Sequence, residues 1–189
     1  NLEGLNSAIS FGRIDQYLYP YYQADLDAGR ITPEKGRELL LLFSAKAVEH
    51  VFLLSERTSQ YHGGYLVVQA AIIGGIDKEG KDATNALTYL FLDEMERFGL
   101  RDPNYQARVH KDSPPEYLKR VADVVRHGSG MPALFGDEAA MAALTSHGIP
   151  WKKRATMPWS AAWNCPCRAK AFSPPTRRSS TCPCASNWP

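Results

Sequence analysis

The sequence predicts an α/β chain in which helices alternate with short buried strands. Three observations lead there. Helical apolar spacing, as in Leu87, Leu90, Phe91, Met95 and Phe98, recurs between glycine stops. Brief apolar runs such as Tyr65 to Ile73 separate those helices. The composition also breaks at Trp151, so the regular pattern belongs to residues 1–150 and not to residues 151–189. Residues 1–150 hold 15 Lys and Arg against 20 Asp and Glu, a net charge of −5. Residues 151–189 hold 7 Lys and Arg and no acid, a net charge of +7. All four Cys and all four Trp lie after residue 150, and that tail has no Leu, Ile, Val or Gly. No regular structure is expected for it. At 189 residues, one domain with a sizeable core is the expectation.

The elements follow in chain order. Ser10 to Tyr22 combines Tyr17, Tyr19, Tyr21 and Tyr22 with Arg13, Asp15 and Gln16. Rings of that size need cover, so the stretch reads as a cavity-lining element or as a core helix with satisfied tyrosines. A helix is predicted over about Ile14 to Ala28, with Gly29 at its stop. Thr32-Pro33 supplies an N-cap and a first-turn proline for a second helix. That helix runs through Leu39-Leu40-Leu41-Leu42-Phe43 to about Leu54 and, being apolar on more than one face, is expected to be buried. Ser55 to Gly64 is polar, with His62 in a loop. Tyr65 to Ile73 suits a buried strand by length and β-branching, although its periodicity fits a helix as well. Asp82 is the expected N-cap of a helix over Ala83 to Phe98, ended by Gly99. Tyr105 to His110 alternates as a strand. Ser113-Pro114-Pro115-Glu116 reads as a capping box, opening a helix that buries Leu118, Val121, Val124 and Val125. Pro132 to Phe135 is a further short strand, and Asp137 to His147 a last helix. Such alternation favours a layered or barrel architecture over a helical bundle.

Several function classes drop out. No apolar run reaches membrane-spanning length, and Asn1-Leu2-Glu3-Gly4 lacks the basic and apolar regions of a signal peptide. It also lacks an initiator Met, so the chain is expected to be cut from something longer. The sequence pI near 8.4 averages two opposed segments and implies no nucleic-acid partner. Gly74-Gly75 and Gly128-Ser129-Gly130 lack the lysine of a phosphate loop and suit tight turns. Cys165-Pro166-Cys167 and Cys182-Pro183-Cys184 offer four thiolates. One residue between cysteines is shorter than zinc sites use, so no metal is expected. A non-catalytic, cysteine-rich metal-binding or interaction module is the alternative from another class.

Residues 5–150 resemble the glycyl-radical enzymes of the pyruvate formate-lyase type. The resemblance rests on ordered motifs. Ser10-Phe11-Gly12-Arg13-Ile14-Asp15-Gln16-Tyr17-Leu18-Tyr19-Pro20-Tyr21-Tyr22 comes first. Ile73-Gly74-Gly75, Gly80-Lys81-Asp82-Ala83-Thr84-Asn85 and Leu87-Thr88-Tyr89-Leu90 follow. Arg108-Val109-His110, Ser113-Pro114 and Gly130-Met131-Pro132-Ala133-Leu134-Phe135 complete the series. The resemblance implies part of a ten-stranded barrel of two five-stranded halves wrapped by helices. It implies radical cleavage of C–C or C–heteroatom bonds, as in formate acetyltransferase or in dehydratases of diols or hydroxyproline. It further implies a small-molecule substrate, a radical-SAM activating enzyme, a homodimeric parent and a cytoplasmic location. The glycyl radical and its motif belong to the parent and not to this chain. By the same resemblance Ser7, Ala8 and His110 are substrate-cavity candidates, and Arg13, Asp15 and Arg108 are barrel-wall candidates. Ser7-Ala8 departs from the His and Ser of some diol dehydratases.

The family's central cysteine, in a Gly-Cys-Val-Glu type sequence, is expected shortly after Gly148-Ile149-Pro150. The composition breaks there instead. Codons compatible with Trp151 to Met157, read one base out of phase after a C, give Leu-Glu-Glu-Ala-Arg-Asp-Tyr. Continued through Cys167, they give Ala-Met-Val-Gly-Cys-Val-Glu-Leu-Ser-Val. The tail is therefore read as frameshifted. No catalytic residue is expected in the present frame, and the chain itself is expected to be inactive.

Overall fold

The computed structural model describes residues 9–49, 56–61 and 69–146. Ten elements occur there: β1 (Ile9–Arg13), α1 (Ile14–Asp27), α2 (Pro33–Glu49), α3 (Glu56–Tyr61) and β2 (Gln69–Gly74), then α4 (Ala86–Phe98), β3 (Asn104–Val109), α5 (Pro115–Arg126), β4 (Ala133–Gly136) and α6 (Asp137–Ser146). The four strands form one parallel sheet in the order β1-β2-β3-β4. Parallel neighbours need a crossover between them, and every connection here carries at least one helix. All four strands therefore end along the same sheet edge.

Strand alternation sorts the sheet into two faces. Ala71, Ile73, Tyr105 and Ala107 join the core with Leu87, Phe91, Tyr117, Val121 and Val124 of α4 and α5. The Phe91 and Tyr105 rings meet at 5.4 Å. The register sets Ala70 beside Asn104, Ile72 beside Gln106 and Gly74 beside Arg108, on the other face. All six residues of β2 are buried, as both-sided cover of a parallel strand requires.

The α/β class, the second helix's start and the Gly99 stop match expectation. Thr32 Oγ1 accepts from Lys35 N at 3.3 Å, and Gly99 closes α4 in the left-handed region at φ +54°. Other expectations need correction. Ser10 to Tyr22 is not one element: its first residues form β1, and Ile14 opens α1. The ladder shifts between Ser10 and Gly12, and Gly12 takes φ +70°, so β1 lacks the plain alternation that marks a strand. The tyrosines are not uniformly covered, since Tyr21 is 73% exposed and Tyr17 48%. The α2 helix turns Leu39 and Leu42 to solvent while burying Leu40, Ser44 and Ala47. Within the polar stretch Ser55 to Gly64 lies the short helix α3. The α5 helix buries Tyr117, Val121 and Val124 but exposes Leu118 and Val125. Its expected capping box does not form: Pro114 occupies the cap position, and Ser113 Oγ instead accepts from His110 N at 2.9 Å. Residues 50–55, 62–68 and the tail, with His62 and all four cysteines, fall outside the described residues.

The N-cap of α4 is Asn85 and not Asp82. Its side chain accepts from Leu87 N at 3.0 Å and Thr88 N at 3.3 Å, and Thr88 Oγ1 accepts in return from Asn85 N at 3.1 Å. Asn85 Nδ2 also donates to the Asp15 carbonyl at 3.2 Å. Asn85→Ala should therefore cost about 1–2 kcal/mol in urea unfolding. A loss within a few tenths of a kcal/mol of zero would show that α4 is held by packing alone.

Candidate active-site wall

Because the strands are parallel, their C-terminal ends gather Arg13, Gly74, Arg108, His110 and Asp137 along one edge. That edge is where parallel α/β sheets build sites, since loop residues converge there without interrupting a ladder. Arg13, at the end of β1, reaches over β2. Its Nη1 donates to the Ile76 carbonyl at 2.6 Å and its Nη2 to the Gly74 carbonyl at 2.7 Å. Burial, followed by the nearby Arg108 charge, brings the Arg13 guanidinium down to about 10, against the pull of Asp15, Asp137 and Asp77.

Asp15 lies in the first turn of α1, fully buried. Its Oδ2 accepts from Gly74 N at 2.7 Å and from Thr88 Oγ1 at 2.6 Å. Burial nevertheless raises its pKa, outweighing those two bonds and Arg13. Arg13 and Asp15 thus grip opposite polar groups of the same Gly74 turn.

Arg108 is fully buried near the end of β3, and its Nε donates to Asp137 Oδ1 at 2.6 Å. The other oxygen of Asp137 accepts from Ile76 N at 3.0 Å. Gly75 makes this possible. A Cβ there would stand 2.7 Å from Arg108 Nε, and Gly75 itself takes φ +83°. Tyr117 OH donates to the Arg108 carbonyl at 3.1 Å. Burial, ahead of the surrounding carboxylates, raises the Tyr117 pKa strongly, so this hydroxyl stays a donor.

His110 follows β3 and pairs its Nε2 with Asp82 Oδ1 at 3.0 Å. Asp82 also accepts from Thr84 N at 3.1 Å and Thr84 Oγ1 at 3.0 Å. It therefore ties the β2–α4 loop to the end of β3. Among the described residues no three His, Cys, Asp or Glu side chains converge as a metal site.

The structure brings four of the residues singled out in the sequence, Arg13, Asp15, Arg108 and His110, to this edge. Ser7 and Ala8 lie outside the described residues. Sequence reasoning missed Asp137, Asp82 and Thr88 as members of the cluster. Asp137 carried one usable signal, its place directly after a strand.

Residues 1–162 match the family described as Pyruvate formate lyase-like. The chain belongs to that family. Among curated relatives, the isethionate sulfite-lyase of Nitratidesulfovibrio vulgaris is 42% identical over 141 residues, which cover 74% of this chain and 17% of the relative. A solved glycyl radical enzyme from Archaeoglobus fulgidus superposes with a TM-score of 0.76 at 40% identity, covering 82% of this chain and 20% of that one. The B12-independent glycerol dehydratase from Clostridium butyricum, solved with glycerol bound, gives a TM-score of 0.73 at 35% identity, covering 78% and 18%. The chain thus spans about a fifth of the length of these relatives. Enzymes of this pyruvate formate lyase-like family work through a glycyl radical, and their lyases and dehydratases are the relatives at hand.

Proposed function

We propose that this chain forms one wall of a glycyl-radical lyase or dehydratase that cleaves a C–heteroatom bond in a small hydroxylated substrate. One observation carries the reading. The sheet face opposite the α4 and α5 core bears polar residues, Gln106 and Arg108 on β3 and Arg13 level with Ile72. In a barrel wrapped by helices, the face opposite the main helical layer is the lumen. His110 continues the Gln106 and Arg108 series past the strand end and so faces the same cavity. Asp82 fixes the imidazole through Nε2, leaving Nδ1 to meet a substrate hydroxyl. Arg13, Asp15 and Arg108 hold the wall in shape.

The glycyl radical supplies hydrogen-atom abstraction when it is present in the parent. Nothing among the described residues receives it, since every cysteine of the sequence lies after residue 150. This chain's contribution is positioning and exclusion of water. The 189-residue chain is therefore inactive by itself, and the frameshift after Pro150 separates it from the Gly-Cys-Val-Glu segment. A Glu two residues after the Cys suits the lyase and dehydratase branches rather than formate acetyltransferase. The parent is a cytoplasmic homodimer loaded by a radical-SAM activating enzyme.

The test begins with the coding DNA across codons 150–151 and continues with the frame-restored parent, co-expressed anaerobically with its activating enzyme. Turnover of isethionate or of a small diol is expected, with none from the 189-residue chain. His110→Ala in the restored parent should lower kcat/KM by about 100-fold. Acetyl transfer from pyruvate to coenzyme A as the sole activity would overturn the branch assignment. An unshifted frame in independent isolates would overturn the frameshift.

A further inference from the structure

A second polar site lies on the helix side of the sheet, away from the strand ends. A cavity of about 480 Å³ opens between α2 and α4, within the size range of ligand pockets. Glu94 of α4 lines it. This carboxylate is 7% exposed, and among the described residues neither of its oxygens has a hydrogen-bond partner of good geometry. Burial raises its pKa, and the neighbouring Ser44 hydroxyl offsets this only in part. That hydroxyl is already engaged with Tyr105 OH at 2.7 Å. A buried carboxylate in this state is costly unless a cation meets it.

The other charges of the cavity do not meet that need. Arg97 lies over the Phe98 ring at 5.7 Å, and Arg37 stands on the α2 rim. Asp93 is held by Arg120 at 2.7 Å. Counting Glu34, Glu38, Asp93 and Glu94 against Arg37 and Arg97, the lining carries four acids and two bases. Leu41 and Leu90 add an apolar surface suited to an aliphatic stem. The chain, moreover, spans only about a fifth of its relatives' length.

We infer that the α2–α4 cavity receives an arginine side chain from a segment of the parent protein lying outside this chain, whose guanidinium pairs with both oxygens of Glu94. A carboxylate with neither oxygen satisfied among the described residues matches the fork of a guanidinium better than an ammonium. The site is independent of the lumen face, so its failure and that of the proposed function are separable.

The test titrates the 189-residue chain with N-acetyl-arginine methylamide, its neutral citrulline counterpart and n-butylguanidinium, followed by NMR shifts of α2 and α4. Saturable binding of the arginine probe is expected, weakened about tenfold by Glu94→Gln, with the citrulline probe failing to bind. Affinity should also rise with pH as Glu94 ionises, the other facing groups being Glu34, Glu38, Asp93, Arg37, Arg97 and Tyr105. This arm needs no variant and stands even if Glu94→Gln unfolds. Equal binding of arginine and citrulline probes, or affinity independent of pH, would overturn the assignment. Binding of n-butylguanidinium at least tenfold tighter than the arginine probe would also overturn it, by showing a small-molecule site in place of a docked side chain.

Discussion

Asp137→Ala is expected to destabilise the chain by about 3–5 kcal/mol, enough to remove much of the margin of a typical domain. Asp137 meets two elements at once. One oxygen accepts from Arg108 Nε at 2.6 Å, and the other from Ile76 N at 3.0 Å. Both partners are buried, so removing the carboxylate leaves a guanidinium charge and a backbone donor without that acceptor. Arg13 is close enough to Arg108 for their charges to repel, and loss of Asp137 removes a counter-charge from both. The measurement is urea denaturation followed by circular dichroism. Arg108→Met combined with Asp137→Leu should recover only part of the loss: an apolar pair avoids the desolvation that the ion pair only offsets, but Ile76 N stays without its acceptor. A single-variant loss under 1 kcal/mol would mean that water reaches the pair.

The same cluster shows where the sequence stops being legible. Helices α1, α2, α4, α5 and α6 were readable because local spacing, caps and glycine stops lie within a few residues of one another. The family motifs singled out Arg13, Asp15 and Arg108. Their partners were not readable. Arg13 reaches Gly74 and Ile76 across 61 and 63 positions, and Arg108 reaches Asp137 across 29. No periodicity spans such distances. Asp82 was the expected cap of α4, and Asn85 takes that place. The choice was made by tertiary structure, since His110 and Thr84 claim Asp82 and leave Asn85 free to cap. The overestimated burial of Leu39, Leu42, Leu118 and Val125 has a different cause. Apolar pattern tells which faces avoid water, not which of them this piece of chain can cover.

Gly74→Ala is expected to cost about 2–4 kcal/mol, from backbone strain and overpacking together. Gly74 ends β2 with φ +68°, where a side chain is disfavoured. The added methyl would collide with the Tyr117 hydroxyl and approach the Arg108 carbonyl to 3.1 Å. Tyr117 cannot simply swing aside. It is fully buried, and its hydroxyl donates to that same carbonyl at 3.1 Å. Gly74 N also donates to Asp15, and the Gly74 carbonyl accepts from Arg13, so moving the turn strains two further bonds. Tyr117→Leu in the same chain separates the two causes. It removes the hydroxyl and the ring carbon Cζ, which stands 2.8 Å from the added methyl, so Gly74→Ala should cost less on that background, leaving mainly the φ term of about 1–3 kcal/mol. An unchanged cost would place the effect in the backbone. A cost near zero in both backgrounds would mean that the strand ends yield easily, which is incompatible with the rigid cavity wall we propose.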